Sequence, residues 1–337
     1  MAVSRCPCVL TPAGVGTSGD PGVLTPKARG ALSEQLFEVM RTGATSWHSL
    51  IDAEPESRDD AHIALWALYE LHYRGFDDVD DSLEWNPGAV AVRGGLERQF
   101  EAELRARRTP VDVPRSFADH FFSYVAGHDG ASLASFIHRE ADLDQVLEVL
   151  RHRSIYHLKE SDPVAWVVPR LPALTQAALM ELQYDEYGRG NPNQLHAHLF
   201  AKGMEASGLR SGHGAYINDV PVEILEQNNA MSLFGLHRRV RGAALGHLAA
   251  FEVTSSLPSR QVSRGLTRVG LPTEISAYYD EHVEADAVHE QLAVRTICGS
   301  LLEQEPGLVD DVYFGAFTCL DLEDRYARRV LGEWAAA

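Results

Sequence analysis

His282-Val283-Glu284-Ala285-Asp286-Ala287-Val288-His289 places three metal-ligand side chains at spacings of four and seven residues. On an α-helix those spacings return to nearly one azimuth, so His282, Asp286 and His289 share a face. Two imidazoles and a carboxylate stacked along about two turns are mixed nitrogen and oxygen donors of the kind that suit iron or manganese. Taken alone, the string also reads as a solvated acidic helix face carrying incidental histidines.

The string belongs to the sixth of seven helical patterns, at 142–161, 173–187, 193–207, 221–235, 238–257, 273–303 and 308–334, with apolar residues recurring at spacings of three and four. Pro172, Pro192, Pro221, Pro258, Pro272 and Pro306 fall at or near the proposed boundaries, where a missing N–H is tolerated. Helical periodicity also marks 28–41, 60–73, 92–107 and 114–126, broken by polar or Pro/Gly segments such as Asn86-Pro87-Gly88. No alternating strand pattern stands out, and the fold class is all-α: a bundle over 141–337 with an appended helical region over 26–140. Residues 1–25, rich in Gly, Pro, Ser and Thr, have the composition of a disordered tail.

Other polar residues sit inside these apolar patterns. Glu252 lies in Ala-Ala-Leu-Gly-His-Leu-Ala-Ala-Phe-Glu-Val-Thr, where a lone buried carboxylate is costly without a cation. Glu186 closes one helix just before Tyr187-Gly188-Arg189-Gly190-Asn191-Pro192, and His196 opens the next, so a turn can fold one ligand back toward the other. Glu160 ends the first helix of the bundle. His247, five residues before Glu252 and about 140° away around the helix, stays outside the ligand set. No glutamate has histidine three residues later, which disfavours a ferritin-like diiron bundle, and no His-Glu-x-x-His suggests a zincin. The glycines of 187–190 follow a helix rather than a strand, so they do not form a nucleotide fingerprint. Lying between two ligands, 187–195 is expected to move during iron loading.

The ordered set Glu160, Glu186, His196, Glu252, His282, Asp286 and His289 resembles that of the haem-oxygenase-like diiron oxidases, also called iron-containing redox enzymes. The resemblance covers the seven-helix region and rests on Asp-Glu-Tyr-Gly-x-Gly before His196, the isolated Glu252, and His-x-x-x-Asp-x-x-His. It implies a haem-oxygenase-like fold in which these seven residues hold two irons and dioxygen is the cosubstrate. Four carboxylates would offset two ferrous ions, with three neutral imidazoles completing the donors. The ligand pattern looks closest to the N-oxygenating members, which implies N-oxygenation of an amine, amino acid or related small metabolite in specialised metabolism. A desaturase or an oxidative C–C lyase acting on an amino or fatty acid is the alternative enzyme. A non-catalytic iron or haem binding protein is the alternative of another class, although carboxylates would be surplus around a porphyrin.

The 337 residues, 45% of them apolar, suffice for a large core, and a net charge of -18 argues against phosphate-backbone or anionic-lipid partners. A small-molecule substrate is the partner class expected. No apolar run approaches the roughly 20 residues of a membrane span, and no secretory signal is seen, so a cytoplasmic location is expected. The four cysteines form no disulfide framework or zinc site; Cys6 and Cys8 fall in the tail, and Cys298 and Cys319 in helices. An external electron donor is compatible with this chemistry, and the helical N-terminal region with a homodimer.

Among residues outside the ligand set, Glu70 and His72 read as interdomain packing or a tunnel lining. His213, Tyr216 and Asn218 read as a polar interhelix loop in preference to a pocket rim, His237–Arg241 as a solvated helix start in preference to a hold for a substrate carboxylate, and Tyr278 and Tyr279 as core in preference to a place facing the metal cluster.

Overall fold

The computed structural model describes residues 23–43, 47–111 and 116–336, without the side chains of 284–287. Cys6, Cys8, residues 1–22 of the expected tail and the Asp286 side chain therefore lie outside the described residues. Within them every regular element is a helix. The N-terminal part holds α1 (Ala31–Thr42), α2 (His48–Ile51), α3 (Arg58–Glu70), α4 (Pro87–Arg107), α5 (Phe117–Ala126) and α6 (Leu133–Arg139). The remainder holds α7 (Leu143–His157), α8 (Asp162–Ala165), α9 (Ala173–Glu186), α10 (His196–Ala206), α11 (Val222–Leu236), α12 (Arg241–Arg268), α13 (Thr273–Gln291), α14 (Gly299–Gln304) and α15 (Val309–Ala336). The fold class is all-α: a helical bundle.

The long helix α12 lies at the centre, packed on α15, α13, α6 and α11. Its Gly242-Ala243-Ala244-Leu245-Gly246 segment is buried and lets neighbours come close. A Cβ added to Gly246 would sit 1.9 Å from the Val312 carbonyl oxygen, and one on Gly315 would sit 1.9 Å from that of Ala243. Only hydrogen fits at that crossing of α12 and α15. Buried apolar side chains form one continuous cluster from Leu32 to Val330, so the N-terminal helices share their core with the bundle.

Two boundaries differ from the sequence reading. Pro258 lies inside α12, which continues to Arg268. Proline removes the bond that would reach the Thr254 carbonyl, yet the helix runs on through the half-buried stretch 253–256 and the exposed Leu257. The helix expected over 273–303 is interrupted by a π-helical segment, Leu292–Cys298, before α14. Its wider turn buries Ala293, Val294, Ile297 and Cys298 directly after the last ligand-type residue of α13.

Candidate metal centre

Each candidate ligand owes its position to a local feature. A capping box fixes the start of α7: Asp142 Oδ1 accepts from Gln145 N at 2.9 Å, and Gln145 Oε1 accepts from Asp142 N at 3.0 Å. The helix ends at His157, and Glu160 projects from the following turn, which closes on Ser161 at φ 70°. Glu186 is the last residue of α9. Beyond it Gly188 takes φ 68°, and a Cβ there would lie 2.6 Å from the Gln194 carbonyl carbon, so the loop can double back to start α10 at His196. Glu252 lies mid-way along α12, and His282 and His289 lie on α13.

Six of the seven expected ligands come together, in two groups of three. Glu160, His196 and His282 form one; Glu186, Glu252 and His289 form the other. Within each, one ligand atom per residue lies within 4.8 Å of the others, and all six side chains are buried. His282 and His289 rise about 10.5 Å apart along α13, which is why they serve different groups rather than one ion. Glu186 touches both: its Oε2 is 3.1 Å from His196 Nδ1 and its Oε1 is 3.6 Å from His289 Nδ1. Glu252 Oε2 is also 3.6 Å from His289 Nδ1, and Glu160 Oε1 is 3.5 Å from His282 Nε2.

The donor set fits metal cations. Nδ1 of His196 and of His289 are buried without an aligned hydrogen bond although carboxylate oxygens lie beside them. Burial works against the charge on His289, but Glu252, Glu186 and Asp185 outweigh it and raise the imidazole to about 9. Burial likewise opposes the His196 cation, which Glu186 raises above its ordinary value. Burial would raise the Glu160 carboxyl, yet His282 and His157 hold it well below the usual carboxylate range. Carboxylates that favour a positive charge on neighbouring imidazoles would favour a metal cation in the same place.

Residues outside the expected set orient the ligands. Tyr278 O accepts from His282 Nδ1 at 2.8 Å, which turns Nε2 toward Glu160. Asp185 Oδ2 lies 3.4 Å from His289 Nε2, which directs Nδ1 toward Glu186 and Glu252. The Tyr278 hydroxyl donates to Glu160 Oε2 at 2.7 Å and lies 2.8 Å from His157 Nδ1, so this tyrosine is buried and also serves the site. Ser161 Oγ donates to Glu186 Oε2 at 3.0 Å. Signals for three of these existed in the sequence: His157 stands three residues before Glu160, Asp185 adjoins Glu186, and Tyr278 stands one turn before His282.

A narrow cleft between α7, α8, α11 and α12 adjoins the centre, its walls apolar apart from Tyr156 and His247. His247 belongs to neither group of three. Among the other residues singled out, Glu70 is fully buried, 2.8 Å from His213 Nε2 and 3.4 Å from Lys159 Nζ, and so ties α3 to the residue preceding Glu160. His72 instead faces Glu84 at 3.2 Å. Tyr216 is buried, and Asn218 accepts from Lys27 N. His237, Arg239 and Arg241 pair with Glu97, Glu101 and Glu305, while Arg238 and Arg239 are exposed at this helix start.

A family model of iron-containing redox enzymes matches residues 147–324, more than half of the chain and a span holding all seven candidate ligands. The chain belongs to the iron-containing redox enzyme family. No curated protein matches it. As a member of that family it is an iron oxidoreductase, and its two carboxylate–histidine groups are where iron could be held. Cys298 and Cys319 of this iron-containing redox enzyme are free, buried thiols. Among the described residues no helix is long and apolar enough to cross a membrane.

Proposed function

We propose that this protein is a dioxygen-activating, non-haem diiron oxygenase that N-oxygenates an amine, amino acid or related small metabolite. One observation carries the diiron reading: Glu186 turns one carboxylate oxygen toward each group of three, the placement of a carboxylate shared by two metal ions. Glu160, His196 and His282 would hold one iron, and Glu186, Glu252 and His289 the other. Asp286 on α13 is assigned to the same centre on the ligand pattern. Bound there, iron would supply the redox chemistry that couples dioxygen reduction to substrate oxidation. Tyr278 and Asp185 keep the ligands aimed, and the buried surroundings exclude water from the centre.

The uncharged cleft favours a second reading, desaturation or oxidative C–C cleavage of an amino or fatty acid. Titration of the anaerobic, folded protein with ferrous iron tests the centre, with two irons per chain expected. Clearly fewer than two would refute it. Mixing the loaded protein with dioxygen and either an aliphatic amine or a fatty acid then separates the readings by product mass. A Soret band on haem addition, with no iron uptake, would favour a haem binding protein instead.

A further inference from the structure

Glu160 projects from a turn that the N-terminal helices grip, although none of the candidate ligands lies on α1–α6. After α7 ends at His157, residues 158–161 lead to α8, which starts at Asp162. Ser161 takes φ 70° there, a left-handed conformation that a residue with a side chain keeps only where its surroundings impose it. The same short turn serves both groups of three. Glu160 belongs to one, and Ser161 Oγ donates to Oε2 of Glu186, the carboxylate that faces both.

Contacts from the end of α3 fall on the first two residues of this turn. Arg74 Nη2 donates to the Leu158 carbonyl oxygen at 2.9 Å, which fixes the backbone. Lys159 Nζ donates to Glu70 Oε2 at 3.4 Å and lies 4.3 Å from the ring centroid of Tyr73 and 5.8 Å from that of Trp66. Lys159 and Glu70 are both buried, so neither charge can turn to water instead. His213 Nε2, 2.8 Å from Glu70 Oε1, holds the carboxylate by its second oxygen. Leu158 is thus tied by its backbone and Lys159 by its side chain, directly before Glu160 and Ser161.

We propose that Lys159 and Arg74 are positioning residues for the metal centre. Through Glu70 and the Leu158 carbonyl they hold the turn in its left-handed form, so that Glu160 meets His196 and His282 while Ser161 meets Glu186. A buried ion pair adds little net stability over an apolar pair of similar size; what this one supplies is direction. Groups that aim metal ligands act on affinity without touching the metal. The proposal rests on the diiron reading and makes iron affinity at the Glu160 group depend on α3.

The test is anaerobic equilibrium dialysis of the full chain against ferrous iron, alongside circular dichroism and urea unfolding of the iron-free protein. Lys159→Met keeps an apolar stem against Tyr73 and loses the charge; Arg74→Met loses the bond to Leu158. Each should weaken one of the two irons about 10–100-fold with helicity unchanged. Combined with Glu252→Gln, which weakens the other group, Lys159→Met should leave no iron at concentrations that saturate the native protein. Arg58→Met separates positioning from stability, because Arg58 also joins α3 to the bundle, through Glu226 on α11, and makes no bond to 158–161. It should lower the urea midpoint and leave both irons at native affinity. Two irons at native affinity in either folded single variant, an iron retained by the double variant, or equal weakening in Arg58→Met overturns the proposal. Fewer than two irons in the native chain would overturn the diiron reading and the proposal with it; two irons there with undiminished binding in the variants would overturn the proposal alone.

Discussion

Glu186→Gln should weaken iron at both groups of three, whereas Glu252→Gln should weaken it at one. Glu186 presents Oε2 to His196 at 3.1 Å and Oε1 to His289 at 3.6 Å, whereas Glu252 belongs to the His289 group, with Oε2 3.6 Å from His289 Nδ1. Both carboxylates are buried, at 6% and 5% exposure, so water cannot make up for a missing charge. Removing one partner from a buried charged group costs about 3–5 kcal/mol, or a hundredfold and more in affinity. The glutamine keeps the shape and one carbonyl oxygen, so packing is conserved and the charge is what is tested. The assay is anaerobic equilibrium dialysis against ferrous iron with metal analysis, alongside circular dichroism and urea unfolding. Glu186→Gln should hold neither iron at concentrations that saturate the native protein, and Glu252→Gln should hold one. If folded Glu186→Gln kept one iron at native affinity, or if the two variants behaved alike, the shared-carboxylate assignment would be wrong.

Gly246→Ala should destabilise the protein: alanine normally gains about 1 kcal/mol in a helix, but here its Cβ meets the Val312 carbonyl at 1.9 Å, and overpacking of about 1–3 kcal/mol or more reverses the sign. Gly332→Ala on α15, with nothing within 4 Å, should raise the urea midpoint, and equal shifts in the two variants would refute the argument. Tyr278→Phe removes the 2.7 Å bond to Glu160 and should lower iron affinity about 10–100-fold at the Glu160 group alone, read from the same dialysis. Burial would raise Glu70, but His213 and Lys159 bring its carboxyl from 4.5 down to about 2. The unfolded chain therefore binds the proton first, and about 3 kcal/mol of stability present above pH 4.5 should fade as pH falls toward 2. Glu70→Gln should flatten that part of the unfolding profile. Hydrogen exchange across 186–200 should slow on iron loading; equal protection with and without iron would exclude movement of this loop.

Much of the architecture was readable because helices advertise themselves locally. The recurrence of apolar residues, the capping pair Asp142 and Gln145, and proline at Pro172 and Pro221 mark elements that the structure contains. Pro258 misled because a proline marks a helix boundary only as a tendency: here α12 continues through it to Arg268, held by packing on its neighbours. The π-helical segment after Gln291 has no comparable signal in the pattern. Tyr278 read as core because its ring is apolar; the bonds of its hydroxyl to Glu160 and His157 depend on how α13 crosses the end of α7.

By itself the sequence determined the helical class, the carboxylate and imidazole donors, and the face shared by His282 and His289. These follow from 3.6 residues per turn and from the chemistry of each side chain. Only the tertiary structure decided that those two histidines serve different groups, that Glu186 reaches both, and that an uncharged cleft opens beside Tyr156. Periodicity fixes what lies on one face of one helix. Which faces meet depends on the crossings of separate helices, set here by the contact of Gly246 and Gly315 between α12 and α15 and by the turn at Gly188.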